Sequence, residues 1–487
     1  MNKEIKLNSV EGGPFTASQN RITFEIPSDG VYDLNSSYIN LNCKISVTET
    51  STAGGVGIYP MDLVFNQTAG ASQPQYPNAS VVKNCYIRSA RYGMIENIRR
   101  NDQLQNILYI LNKSENEKDS RSYDAASQIA GPFNVSQYGI YRDLNKLGNI
   151  KSKQNDIAPV KIHLRDLFDF CYQGIEVDTS KSGTITVQCE LNGDLLQPIQ
   201  RMKSNLWSDG IKHAFANLTT SGAANRIVTT NKVTNLNQSP YYTGMKLKLT
   251  ATGGGGAANV DTNVVVEAVF WNTDGTISLD FEQNWGTIGP GEDFSTIKVE
   301  TVDVADSSVS INFGELVLLK LAKDKSDFEQ IQYSTYSTEE TNGNGLTNYQ
   351  NQFQIEADSD AVIIAFPNEN ADILSKNVNL NDYRLRLDNV DLTDRNVNFD
   401  SPLHYDRLNM SMTQLGMRLK SLAENSRSTV ANTYLESVRI GDTKNNLIMS
   451  PVEQKIQEKL LQVNIDAAGS GVKKITLFKH LPRVFSY

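Results

Sequence analysis

Between Arg21 and Val47 lie two runs in which apolar and polar residues alternate, and this pattern constrains the chain more than any other feature. Ile22, Phe24 and Ile26 alternate with Thr23 and Glu25, and the run stops at Pro27-Ser28-Asp29-Gly30. Ile39, Leu41, Cys43, Ile45 and Val47 then alternate with Asn40, Asn42, Lys44 and Ser46. A period of two puts one face of a strand in a core and the other in water or against polar partners. No nucleotide loop, metal cluster or nucleophile motif accompanies these strands. The pattern is that of a chain that builds a surface rather than one that runs a reaction.

At 487 residues the chain exceeds one ordinary core, so two or three domains are expected. A hydrophobic share of 39% with 21% charged residues supports globular packing and argues against disorder. The net charge is −9 with no Lys/Arg-rich arm, so no direct contact with nucleic acid is expected. The opening Met1 to Leu7 lacks the apolar core of a signal peptide, and no run approaches the roughly 18 apolar residues of a transmembrane segment. Cys43, Cys85, Cys171 and Cys189 lie among apolar strand-like residues and never as C-x-x-C. They are expected to be reduced core residues rather than disulfides or metal ligands.

The first unit is expected over residues 1–203. A third strand follows at Val81 to Ala90. The period then changes: Leu104, Ile107, Leu108 and Leu111 form one stripe of a helix, with Asn101 and Asp102 as capping candidates. After a polar stretch from Lys113 to Gln154, strands are expected around Val160 to Leu164 and Ile185 to Leu191. The second unit is expected over 204–487, with a β-rich insertion at 224–307. In that insertion Met245, Leu247 and Leu249 alternate with lysines, Gly253 to Gly256 make a flexible turn, and Asn272-Thr273-Asp274-Gly275 turns a hairpin from Val264 to Phe281. Beyond it, strands are expected at Leu316 to Ala322, Phe328 to Tyr336, Phe353 to Phe366 and Tyr383 to Leu387. A helix carried by Leu408, Met412, Leu415, Leu419 and Leu422 follows, then a last strand at Ile475 to Phe478. Each half thus runs strands, polar break, amphipathic helix and closing strand, a duplication of architecture without residue-by-residue repeat.

Chemistry-bearing motifs are sparse. His163, His213, His404 and His480 form no H-x-x-x-H pair. The run Asp388 to Arg395 is dense in carboxylates but lacks the Gly and terminal Glu of a calcium loop, so it reads as a turn with solvated charges. Gly253 to Gly256 precede alanines rather than Lys-Ser/Thr, and no G-x-S-x-G elbow occurs. The Asn-x-Ser/Thr sequons at Asn66, Asn134 and Asn217 are of the number chance gives in so Asn-rich a chain. Tyr38, Tyr86, Tyr92, Trp207, Trp271 and Trp285 are candidates for a carbohydrate or partner surface, with core packing the commoner fate. No catalytic residue, cofactor site or metal site is assigned, and no enzyme activity is expected.

Several of these segments resemble the double jelly-roll major capsid proteins of virophages, polinton-like viruses and nucleocytoplasmic large DNA viruses. The resemblance is carried by Glu11 to Phe15, Arg21 to Pro27 and Asp33 to Leu41, by Val82-Lys83-Asn84 with Gly93 to Glu96 and Arg99 to Asp102, and by Ile162 to Cys171. In the second half it lies in Tyr383 to Val397 and Arg483 to Tyr487. It covers most of the chain outside about 224–307. It implies an all-β fold of two jelly-roll β-sandwiches in tandem, each with a helix in a long connection. It further implies a structural protein forming pseudo-hexagonal homotrimeric capsomers of an icosahedral shell in the virion. The implied partners are its own copies, neighbouring capsomers, and penton and minor capsid proteins. The insertion would be the largest outer loop or tower.

Two other readings compete. A β-sandwich adhesin or fibre module would grip carbohydrate through exposed aromatics on an elongated shaft. A β-sandwich glycosidase would need two carboxylates about 5–10 Å apart in a cleft.

Overall fold

The computed structural model describes residues 2–16, 18–49, 59–65, 78–112, 150–152, 157–192, 196–200, 222–228, 232, 241, 243–254, 258–288, 293–302, 304–367, 379–393, 396–399, 401–415, 447–452, 457–468 and 471–487. In chain order the first elements are β1 (Lys3–Asn8), β2 (Arg21–Ile26), β3 (Val31–Glu49), β4 (Tyr59–Phe65), β5 (Val82–Ser89), β6 (Gly93–Ile98), α1 (Asn101–Asn112), β7 (Ile150–Ser152) and β8 (Ile157–His163). Three short helices, α2 (Leu164–Leu167), α3 (Asp169–Gln173) and α4 (Thr179–Ser182), flank β9 (Val177–Asp178), and β10 (Ile185–Leu191) and β11 (Leu196–Gln200) follow. A middle group comprises β12 (Gly222–Ala224), β13 (Arg226–Val228), β14 (Lys246–Gly254), β15 (Val260–Trp271), β16 (Ile277–Phe281), β17 (Gly286–Ile288) and β18 (Asp293–Thr301). The rest of the chain forms β19 (Val304–Lys320), β20 (Gln330–Leu346), β21 (Asn348–Ile355), β22 (Ala361–Ala365), β23 (Asn379–Leu387), β24 (Val390–Asp391), β25 (Val397–Asn398), α5 (Pro402–Gln414), β26 (Leu447–Pro451), β27 (Lys459–Ala468) and β28 (Val472–Ser486).

Two antiparallel sheets face each other in the first sandwich, ordered β1-β19-β3-β8 and β2-β10-β5-β6. Numbered along the chain, these eight strands stand in the orders 1-8-3-6 and 2-7-4-5. The second sandwich repeats the orders strand for strand, as β20-β28-β22-β26 and β21-β27-β23-β24. Eight antiparallel strands wound this way make a jelly roll, and the chain contains two. In each, a helix sits in the connection from the fifth strand to the sixth: α1 in the first and α5 in the second.

The alternation explains the first sandwich. Ile22, Phe24 and Ile26 of β2 and Ile185, Val187, Cys189 and Leu191 of β10 are all buried, with their polar neighbours on the other face. Leu104 and Ile107 of α1 are buried and Leu108 is partly so, as the stripe predicts. The start of α1 differs from expectation. Asn101 is itself in the helix and donates through Nδ2 to the Ala79 and Val82 carbonyls, tying the helix to the chain before β5.

Val304–Lys320 falls in the stretch 204–487 that sequence alone assigns to the second unit. Its hydrogen bonds place it in the first sandwich, as the eighth strand between β1 and β3. Gly314 shows how tightly it fits: a Cβ there would overlap Ile22 of the facing sheet. The expected single strand from Phe353 to Phe366 is two strands, β21 and β22, in different sheets. Leu408, Met412 and Leu415 are buried along and just beyond α5, while Leu419 and Leu422 lie outside the described residues.

Between β11 and β19 the middle group builds a sheet ordered β13-β16-β15-β14-β18 over a core of its own, with Met245, Leu247, Leu249, Val264, Leu279 and Phe281 among its members. The hairpin of β15 and β16 turns at Asn272–Gly275 as predicted, with Gly275 at φ 89. Gly253 and Gly254 belong to β14 rather than to a turn.

Candidate functional site

The two sandwiches stand side by side, and their seam is the most elaborated polar and apolar junction among the described residues. Its signature is β22, Ala361-Val362-Ile363-Ile364-Ala365, buried at every position. Val362 and Ile364 face the interior of the second sandwich. Ala361, Ile363 and Ala365 join the core that holds Phe24, Ile87, Phe170 and Leu164 of the first. The neighbouring β26 divides the same way, with Ile448 inward and Leu447 and Met449 toward the first sandwich. A sheet covered on both faces reads as a continuous apolar run rather than an alternation.

Polar contacts set the alignment. The Tyr333 hydroxyl of β20 donates to the Ile95 carbonyl of β6 at 3.0 Å, Thr338 Oγ1 donates to the Arg99 carbonyl at 2.9 Å, and Arg100 Nη1 meets Glu340 Oε1 at 3.2 Å. Rising residue numbers on β20 meet rising numbers on β6 and just past it, so these two strands point the same way. The connection 321–329 between sandwiches is tied down as well. Ser326 Oγ donates to the Glu176 carbonyl at 2.9 Å, and Lys323 pairs with Glu176 at 2.5 Å. The chain end closes the same corner: Phe485 packs edge-on against Phe170 and Tyr92, and the Tyr487 hydroxyl accepts the Asp178 N–H at 3.0 Å.

Strand order then fixes the polarity of the whole. In each sandwich the connections 2→3, 4→5 and 6→7 lie at one end, and the others lie at the opposite end. At the first end sit residues 27–30, 90–92 and 164–184, and 356–360, 388–389, 452 and 457–458. The strands that lead into the long connections of both, β3, β6, β10, β22 and β24, end at the opposite end. Because β6 and β20 run together, the two long-connection ends lie on the same side. Three of the long connections of the first sandwich pair with one another there, as the small sheet β11-β4-β7.

The seam buries ionisable groups. Glu96 is 1% exposed and accepts the Phe170 N–H at 2.6 Å; burial, reinforced by the Asp169 charge, pushes its carboxyl well above the usual range. Asp169, also raised by burial, accepts the Ser334 N–H at 2.6 Å from the second sandwich. His480 Nδ1 lies 2.5 Å from Asp360 Oδ1, both buried. Arg100 is buried between Asp102, with both contacts at 3.1 Å, and Glu340.

The residues singled out in the sequence scatter. His163 stacks edge-on with Tyr38, His404 is buried within 3.1 Å of the Tyr383 hydroxyl, and His480 joins the seam; His213 lies outside the described residues. All four cysteines are free and buried. Cys85 and Cys189 stand opposite each other on β5 and β10. Burial pushes the Cys43 and Cys189 thiols up to about 12, which leaves them inert. Asp388 and Asn389 form the left-handed turn between β23 and β24, and Asp391 is clamped by Arg384 and Arg386 at 2.7 and 2.6 Å. Trp285 is buried, whereas Trp271 and Tyr92 are exposed; Trp207 lies outside the described residues. Among the described residues no group of three His, Cys, Asp or Glu is placed to hold a metal, and no helix is long and apolar enough to cross a membrane.

Sequence reasoning missed the seam. The signal was the unbroken apolar run Ala361 to Phe366, which marks a strand buried on both faces.

No family model and no curated protein matches the chain. Among solved structures it is similar to the Sputnik virophage structure at 10% identity, with a TM-score of 0.40, covering 99% of this chain and 86% of that one. The mavirus major capsid protein matches at 10% identity and TM-score 0.39, covering 99% and 87%. The Faustovirus major capsid protein matches at 5% identity and TM-score 0.46, covering 100% and 90%. At such scores the fold rests on this chain's own strand order.

Proposed function

We propose that the chain is a viral major capsid protein whose work is done by its flanks and ends rather than by a pocket. The observation that carries this reading is the repeated jelly-roll order in two sandwiches fixed side by side and pointing the same way. Two near-equivalent lobes per chain let three copies close a ring of six, so a threefold assembly tiles a hexagonal lattice. The resemblance of Arg21 to Pro27, Gly93 to Asp102 and Ile162 to Cys171 to the double jelly-roll capsid proteins supports the same reading. The packed and hydrogen-bonded seam suits a tile, because relative motion of the lobes would blur the lattice contacts.

In this reading the units divide within 321–329, and the long-connection end, including the sheet from β13 to β18, forms the outward projections. The partners are two further copies in a capsomer, neighbouring capsomers, and the penton and minor proteins of an icosahedral shell. The location is the virion. No catalytic, cofactor or metal role is assigned to any residue.

Light scattering of the purified chain together with negative-stain microscopy tests the proposal. The expected result is a three-chain particle with a six-lobed outline that forms sheets or shells at high concentration. A monomer under all conditions of salt, pH and concentration overturns it.

A further inference from the structure

Glu96 leaves half of its hydrogen-bonding capacity unused in the middle of the seam. Its Oε1 accepts the Phe170 N–H, while Oε2 is buried with no partner. From the other sandwich, Thr335 of β20 brings its buried hydroxyl up to the same carboxyl; that donor favours the ionised form, but burial and the Asp169 charge outweigh it. One amide N–H and one hydroxyl are few donors for a fully buried carboxylate, which needs a full set of donors or a cation. A neutral acid fits the site without that cost, because its O–H can donate to the threonine oxygen in turn.

The surrounding groups offer no compensating charge. Asp169 and Cys171 approach from α3, Cys85 from β5 with Cys189 behind it on β10, and Tyr333 and Tyr336 from β20. From β28 come His480, held by Asp360, and Arg483, held by Asp358. The Tyr333 hydroxyl is committed to the Ile95 carbonyl. An ionised Glu96 would therefore face the Asp169 carboxylate inside a largely apolar junction.

We propose that Glu96 is a proton-operated latch between the sandwiches: as a neutral acid it sits buried against Thr335 of β20, and on losing its proton it sets a second negative charge beside Asp169 with no cation to offset it, which loosens the seam. The sign follows from linkage. A carboxyl raised in the folded state contributes stability that is complete below its unfolded value and is lost as pH rises through its folded value. The latch is closed in acid and opens toward alkali, independently of any role in a shell.

Amide hydrogen exchange on the full chain, followed in peptides covering 93–98 and 330–338 from about pH 5 to about pH 9 and corrected for intrinsic rates, tests this. The wild type is expected to lose protection about tenfold or more across that range, with peptides from β14 to β16 unchanged. Glu96→Gln, whose amide can donate to Thr335 without titrating, is expected to hold its protection flat. Asp169→Asn is expected to move the loss to lower pH, because removing the neighbouring charge eases ionisation of Glu96. The same loss in Glu96→Gln as in the wild type overturns the proposal. Should that variant not fold, the wild type decides alone. Constant seam protection across the range overturns the latch, and a carboxylic-acid infrared band that fades in step with protection supports it.

Discussion

The Tyr333 hydroxyl on β20 donates to the Ile95 carbonyl on β6 at 3.0 Å, a bond between the first strand of one sandwich and the fifth strand of the other. Ile95 sits where the register between β5 and β6 slips, so its carbonyl lies at an irregularity in the ladder. The tyrosine supplies a donor there from outside the sheet. Burial pushes the Tyr333 phenol up to about 12, so it stays a donor at neutral pH.

Tyr333→Phe keeps the ring and removes the donor. The expected cost is about 1–2 kcal/mol, since a buried carbonyl loses its partner. Urea denaturation checks this. The fall should appear in the midpoint with the slope unchanged.

The two-sided burial of β22 sets a second expectation. Ile363 faces the first sandwich and Ile364 the interior of the second, and both are fully buried. Each change to Ala should cost about 2–5 kcal/mol through lost transfer energy and the cavity left behind. An independent second sandwich with a wet outer face would tolerate Ile363→Thr within a few tenths of a kcal/mol. Here that change should cost well over 1 kcal/mol, because a hydroxyl is buried without a partner. Denaturation midpoints of the three variants decide.

How far the sequence could be read follows from the range of each signal. Period-two alternation is local, so β2, β10 and the Ile39 to Cys43 part of β3 were legible from their own residues, as was the Leu104 and Ile107 face of α1. The β15–β16 hairpin was legible because Asn272 to Gly275 encodes its turn. Membership of β19 was not. Leu316 to Leu319 read as a buried strand, but nothing local says that its partners are Leu7 and Ile39, some 300 residues away. Glu96 was equally opaque, because a glutamate on a strand reads as solvated until another sandwich covers it.

The pairing of β19 makes a sharp deletion test. Replacing residues 222–301 by a flexible Gly/Ser linker removes the sheet with its own core and leaves Val302 and β19 in place. That variant should keep the cooperative unfolding and circular dichroism of the two sandwiches. Extending the cut through Lys320 strips the strand between β1 and β3 and should unfold the first sandwich. Gly314→Ala probes the same strand gently. Its methyl would press on Ile22, an overpacking cost of about 1–3 kcal/mol.

The Asp391 clamp predicts an acid-sensitive hairpin. Hydrogen bonds from Arg384 and then Arg386 hold its carboxyl below the ordinary aspartate value. The contribution is present above the unfolded value and is lost as pH falls through the lower folded one. Protection of the Leu392 amide, which donates to the Leu385 carbonyl at 2.9 Å, should therefore fall in strong acid before the sandwich cores open. Asp391→Asn should lower that protection already at neutral pH and flatten its acid dependence.

Arg100 offers the strongest contrast between two ion pairs on one guanidinium. Its Nε and Nη2 reach Asp102 at 3.1 Å with both side chains under one-tenth exposed, while Glu340 is 45% exposed. Losing the exposed partner leaves Arg100 still neutralised, so Glu340→Gln should cost under about 1 kcal/mol. Arg100→Met instead abandons a buried carboxylate, which should cost about 3–5 kcal/mol. The penalty should also depend on pH. Burial already raises the Asp102 carboxyl, and Arg100 is the main group opposing that rise. Without the guanidinium Asp102 must stay protonated to remain buried, and a carboxyl raised further loses stability as pH rises. The gap between wild type and Arg100→Met should therefore widen from about pH 5 to about pH 8. Asp102→Asn added to Arg100→Met should close most of that widening, because the second change removes the group that titrates. Denaturation midpoints of the four proteins at both pH values check it, and a gap that stays constant with pH would place the cost of the arginine in lost packing rather than in its charge.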